Sequence, residues 1–340
     1  MLGMRALGRC AAAVPLGGLL CGLLCALTGA GPPDPLLPEA RAIIREHPGM
    51  WAQASVARGE HTIVVGGPRR LVADLSVLAD RASRTVARVW GPVDAVVLVP
   101  ATAEQAEVLA APARVEGLAA LAGVGRVIIE PDGFARLTPT GRQVVLAHEL
   151  VHVATGAAVT GDLPAWLVEG FADYVGYLGS GLSARTVAAE LAAEVRAGAL
   201  PRELPGRADF RAGSARLAQA YEEAWLVCRY IAGRFGERKL VKLYRAALRH
   251  QGQGDQDQGE QDQGEQGQGE QGQGEQGQGE QDQGDQGQGE QGQGDQGDRD
   301  REGIAPALWE TLGITQAELT RDWLASLPEQ LGIPTVPSSP

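Results

Sequence analysis

The chain has 340 residues, 44% of them hydrophobic, and a formal net charge of −12. That acidity is local: residues 251–298 hold 13 Asp and Glu and no Lys or Arg, so the rest of the chain nets +1. A near-neutral remainder without a basic stretch excludes the electrostatic footprint of nucleic-acid binding.

Residues 1–30 place Arg5 and Arg9 ahead of a run rich in Leu, Ala and Gly, ending Leu27-Thr28-Gly29-Ala30. This is the pattern of an export signal cut after Ala30, with an uncleaved anchor as the alternative. Cys21 and Cys25 follow Leu20 and Leu24, where a lipoprotein signal places Gly or Ala, which argues against lipidation. With the signal go Cys10, Cys21 and Cys25, so the mature chain keeps only Cys228 and no internal disulfide. The expected location is secreted or extracytoplasmic.

His61–Val65, Asp94–Val99 and Arg126–Glu130 read as short apolar strands. Between them, Leu71, Leu75, Leu78, Ala82, Val86 and Val89 keep helical spacing up to Gly91-Pro92, and Thr102–Leu109 is a shorter helix. A further helix is expected from Thr138-Pro139 to Gly156, and helices dominate from Asp162 onward. Strands first and helices afterward predict an α+β fold. The expected form is a small mixed sheet with helices in an N-terminal lobe, a metal-binding helix at a cleft, and a mostly helical C-terminal lobe. Residues 31–249 and 303–332 would form this domain, with 333–340 a flexible tail.

The Thr138–Gly156 helix contains His148-Glu149-Leu150-Val151-His152. At 3.6 residues per turn, His148 and His152 leave one face a turn apart and can reach one Zn2+ ion. Glu149 points beside the metal, where a carboxylate can deprotonate a bound water; it is a base candidate and not a ligand. A catalytic zinc needs a third protein ligand. The three-histidine pattern requires Gly and His three and six residues after His152, but Thr155 and Ala158 stand there.

A glutamate on a second helix satisfies the requirement. Asp162 can cap that helix, Pro164 suits its first turn, and Trp166, Leu167, Phe171 and Ala172 supply its apolar surface. Glu169 then sits mid-helix among apolar neighbours, a costly place for a carboxylate that is neither paired nor metal-bound. Asp173, four residues on, shares its face and can accept a hydrogen bond from a ligand imidazole.

This pairing, with Glu169 17 residues after His152 in Pro-Ala-Trp-Leu-Val-Glu-Gly-Phe-Ala-Asp-Tyr, resembles the gluzincin metallopeptidases, more narrowly their bacterial peptidase-MA-like branch. The resemblance implies one zinc on His148, His152 and Glu169, with Glu149 as base and Asp173 supporting a ligand histidine. It continues through residues 220–248 and 307–327, which look like the family's helical C-terminal part, here split by an insert. It also implies that Tyr221 supports the developing oxyanion. Tyr221, Trp225, Cys228, Ala232 and Phe235 nevertheless repeat at 4, 3, 4, 3 spacing, so packing alone is an equal reading. The aminopeptidases of the clan carry Gly-Ala-Met-Glu-Asn ahead of the zinc motif; Val127-Ile-Ile-Glu130-Pro131 stands here, which argues against aminopeptidase action.

Residues 251–302 repeat Gln-Gly with Asp or Glu, and 251–298 contain no apolar residue. Such a segment has nothing to bury, and is expected to be a disordered acidic loop between packed helices. Calcium-binding repeats need a large apolar residue at fixed positions, which excludes that reading. Beyond it, Thr315 and Glu318 form a capping box, and Leu319, Trp323 and Leu327 face inward on a helix expected to pack on the Tyr221 helix.

The leading expectation is an exported, monomeric zinc metallopeptidase acting on a peptide or protein, with no nucleic acid and no membrane partner beyond an uncleaved anchor. Two alternatives stand beside it: a non-catalytic zinc-containing surface module displaying the acidic loop, and a hydrolase of another amide or ester.

Overall fold

The structure is a computed structural model that describes residues 36–157, 163–261 and 304–334, with side chains beyond residue 251 of the second stretch left aside. The expectations for the signal, for Asp162 and for most of the insert and tail lie outside the described residues. The chain is α+β, and it divides into two compact units, residues 1–159 with 175–180 and residues 160–174 with 181–340.

In the first unit the elements are α1 (Leu37–Glu46), β1 (Ser55–Arg58), β2 (Thr62–Gly66), α2 (Arg69–Val89), β3 (Ala95–Val99), α3 (Ala103–Ala110), β4 (Ala120–Gly123), β5 (Arg126–Ile129), α4 (Pro131–Arg136) and α5 (Pro139–Thr155). The five strands form one mixed sheet in the order β1-β2-β3-β5-β4. The inner strands β2, β3 and β5 run parallel, and the edge strands β1 and β4 pair antiparallel to their neighbours. Every residue of β2 and β3 is buried, as expected where helices cover both faces of a sheet.

Side chains alternate along each strand, so each strand feeds two cores. Ile63, Val65, Val96, Leu98 and Ile128 pack with Ala40, Ile43 and Ile44 of α1 and Ala106 and Leu109 of α3. Val64, Val97 and Val127, equally buried, point to the opposite face, where α2 packs on β2 and α5 on β4 and β5. The helices α2 and α5 also pack on each other, and the Trp90 indole N–H just after α2 donates to the Ala154 carbonyl in the last turn of α5 at 3.0 Å.

The second unit holds most of α6 (Ala165–Gly176), then α7 (Ala184–Val187), α8 (Ala189–Arg196), α9 (Leu217–Phe235), α10 (Glu237–Gln261), α11 (304–312) and α12 (Gln316–Gln330). At its centre is α9, which packs against α8, α10 and α12. The buried positions of α9 are broader than the anticipated stripe: residues 222–228 are buried all round, whereas Tyr221, Ala232 and Phe235 are half-buried. On α12 the capping box of Thr315 and Glu318 is formed, and Leu319, Trp323 and Leu327 are fully buried.

The chain ends flanking the acidic segment are held together by polar contacts. Arg249 and His250 of α10 reach the Glu310 carboxylate at 2.7 and 3.0 Å, and Lys239 donates to the Thr311 carbonyl at 2.6 Å. The α10 helix runs to Gln261, eleven residues into the stretch expected to be structureless. Once a helix is nucleated, adding residues costs far less than starting anew, so an element boundary can overrun a composition boundary. Among the described residues no helix is long and apolar enough to cross a membrane.

Two buried acids on α9 have structural work. No side chain of its own caps α8; instead Glu222 accepts the Leu191 and Glu190 amides at 2.7 and 3.3 Å. Burial, with a hydrogen bond to the Glu190 side chain, raises the Glu222 carboxyl to about 8. Burial also raises Glu223 to about 7, against the opposing pull of Arg216 at 2.6 Å.

A carboxyl raised above its ordinary value of 4.5 holds a proton in the folded chain that the unfolded chain has released. Its contribution is fully present below about pH 4.5 and is lost as pH climbs toward 8. Glutamine is uncharged like the protonated form, and keeps one oxygen for the Leu191 amide and an N–H for the Glu190 side chain. Glu222→Gln is therefore expected to narrow the difference in melting temperature between pH 5 and pH 8; an unchanged difference by thermal denaturation would refute the assignment.

Candidate metal centre

The helix α5 is built by local signals at both ends. Thr138 caps it by accepting the Gly141 amide at 3.1 Å, Pro139 occupies its first turn, and Gly156 closes it in the left-handed conformation at φ 75°. Arg142 fixes the corner before it, donating to the Phe134 and Ala135 carbonyls at 3.2 and 2.9 Å. With α5 pinned to α2 and to the sheet, the directions of His148 and His152 are set by the backbone.

The two imidazoles converge. Their Nε2 atoms lie 3.0 Å apart and their rings meet edge-on at 4.7 Å between centroids. Two neutral imidazoles in this pose need one Nε2 protonated and the other bare; a cation between them accepts both lone pairs.

Glu169 arrives on α6. Proline 164 precedes that helix and its carbonyl accepts the Leu167 and Val168 amides, while Trp166, Leu167, Phe171 and Ala172 are buried as the pattern required. The last residue, Gly176, lies so close to α5 that a Cβ there would sit 3.1 Å from the Val144 carbonyl oxygen and 3.7 Å from the His148 nitrogen. Glu169 is two turns earlier on the same face of α6 as Gly176. One ligand atom each from His148, His152 and Glu169 lies within 4.8 Å of the others.

This donor set fits a metal ion. Two imidazole nitrogens and one carboxylate oxygen form a common zinc set in hydrolases, leaving a fourth position open. Bonds of about 2.0–2.1 Å at a tetrahedral angle hold two nitrogens roughly 3.3–3.4 Å apart, close to the 3.0 Å between the Nε2 atoms.

The remaining predicted residues are placed by the same helices. Glu149 is 8% exposed, one residue after His148 on α5. Asp173 is half-buried, one turn after Glu169, and its charge adds to the burial that raises the Cys228 thiol. Cys228 itself is a buried free cysteine, as expected of a small core residue. Tyr221 is half-buried, its ring edge-on to Phe210 at 5.2 Å between centroids.

Glu130, the acid of the stretch aligned with the aminopeptidase segment, serves as the N-cap of α4 by accepting the Asp132 and Gly133 amides. Sequence reading missed Gly170, whose missing side chain lets α6 meet α9; a glycine inside an otherwise apolar helix was the available signal. No protein-family model, curated protein or solved structure matches the chain.

Proposed function

We propose that this chain is a zinc-dependent metallopeptidase, with His148, His152 and Glu169 as the metal ligands and Glu149 as the general base. The convergence of the three ligand atoms within 4.8 Å carries the reading. Bound there, Zn2+ would acidify a water and polarise a peptide carbonyl.

The chain's own residues do the rest. The Glu149 carboxylate takes the proton of the attacking water and delivers it to the leaving amine, a role in which its burial keeps competing solvent away. Asp173 orients a ligand imidazole by accepting its second N–H, and the Tyr221 hydroxyl donates to the developing oxyanion. Export through residues 1–30 belongs to the same reading, on the strength of their basic and then apolar sequence.

The test is elemental analysis of the purified protein beside His148→Ala, His152→Ala and Glu169→Ala. The expected result is about one zinc per wild-type chain and a loss of bound zinc in each variant, with folding followed by circular dichroism. Zinc retained at the wild-type level in all three would exclude this ligand set.

A further inference from the structure

A groove of about 1160 Å³ lies within the second unit, bounded by the start of α6, the 202–211 loop and one side of α12. Its charge departs from that of the fold around it. Arg202, Arg207, Arg211 and Arg321 line it against two acids, Glu203 and Asp209. Asp209 is already committed, accepting the Gly206 amide at 2.9 Å to hold the loop. Arg321 pairs with its neighbour Asp322 at 2.9 Å, on the exposed surface. Among the described residues neither Arg202 nor Arg211 has an acidic partner. Two guanidinium groups without an acidic partner, Arg202 and Arg211, are thus gathered in one concavity beside Arg207 and Arg321.

The floor is apolar, formed by Trp166, Leu204 and Leu324. Small-molecule sites run to about 300–1,000 Å³, so this groove is sized for several residues of chain. Guanidinium groups recognise carboxylates through paired N–H donors, and a walled concavity strengthens the attraction. Trp166 stands one turn before Glu169 on α6, so the groove opens on the helix that carries a metal ligand.

We propose that this groove binds peptide segments that carry both acidic and apolar side chains, the acids against the arginine rim and the apolar groups on the Trp166 floor. The acidic segment of the chain itself meets only half of that requirement, since residues 251–298 contain no apolar side chain. On the metallopeptidase reading, on which only this step depends, such a segment is part of a substrate.

The experiment is fluorescence anisotropy with a labelled peptide alternating Glu and Leu and a matched peptide alternating Gln and Leu. It uses full-length Glu149→Gln protein so that binding is read without cleavage. The acidic peptide should bind at least about tenfold more tightly than its Gln counterpart, and the difference should shrink in high salt. Arg211→Glu with Arg321→Glu should abolish that preference while leaving the Gln peptide unchanged; Arg202→Glu, at another exposed position, gives a second reading if the pair unfolds.

Equal affinity for the two peptides, or a preference untouched by both sets of variants, overturns the proposal. In a third arm the 13 acids of residues 251–298 become Gln or Asn. Binding seen only in that protein would assign the groove to the chain's own segment and overturn the external ligand. Cleavage by the wild-type protein that shows no acidic preference would remove the groove and leave the metallopeptidase reading standing.

Discussion

Glu149→Gln is expected to keep its zinc and lose peptide cleavage by at least about 10²–10⁴-fold, the range that a positioned general base supplies. The substitution is nearly isosteric. Glu149 is 8% exposed on a helix fixed at both ends by Thr138 and Gly156, so an amide of the same shape leaves His148 and His152 where they are. What it removes is the carboxylate that accepts a proton. Retained metal with lost turnover separates the base from the ligands, because replacing His148 or His152 is expected to remove the metal itself. Turnover of a labelled peptide library, measured beside elemental analysis, checks both halves. Full activity in the variant would remove Glu149 from the mechanism, and loss of metal would make it part of the binding set.

The elements that carry the candidate site were legible because their signals are local. Thr138, Pro139 and Gly156 delimit α5 within the sequence itself, and the i, i+4 histidines need only helical geometry to meet. Glu169 was legible for the same reason, as a carboxylate in an otherwise apolar helix. The edge strands were not. Ser55–Arg58 and Ala120–Gly123 lack the β-branched run that marks β2 and β3, and become strands by pairing with β2 and β5. Glu222 and Glu223 look like a solvated face in the sequence, yet one caps α8 and the other pairs with Arg216, contacts made by tertiary packing. The arginine groove draws on stretches more than 100 residues apart, and no window of sequence contains it.

Gly170→Ala is expected to be the most damaging small substitution near the site, costing about 3 kcal/mol at the upper end of overpacking penalties. Alanine normally favours a helix over glycine by about 0.5–1 kcal/mol, so the sign must come from packing. A Cβ at Gly170 would fall well inside contact distance of the Ala224 carbonyl of α9, and 3.0 Å from the Cys228 sulfur. A side chain can rotate away, but the Ala224 carbonyl belongs to a helix buried on every side at that level and cannot. The clash is relieved only by separating α6 from α9, which carries Glu169, the adjacent residue, with it. Gly233→Ala provides the control: on α9, exposed and with open space where its Cβ would go, it should stabilise by about 0.5–1 kcal/mol. Denaturant unfolding of the two variants should therefore move in opposite directions, and a Gly170→Ala protein as stable as wild type would refute the packing of α6 on α9. Adding Cys228→Ala to Gly170→Ala decides which contact dominates. It removes the sulfur and leaves the carbonyl, so little stability should return if the backbone contact is what makes glycine obligatory beside Glu169.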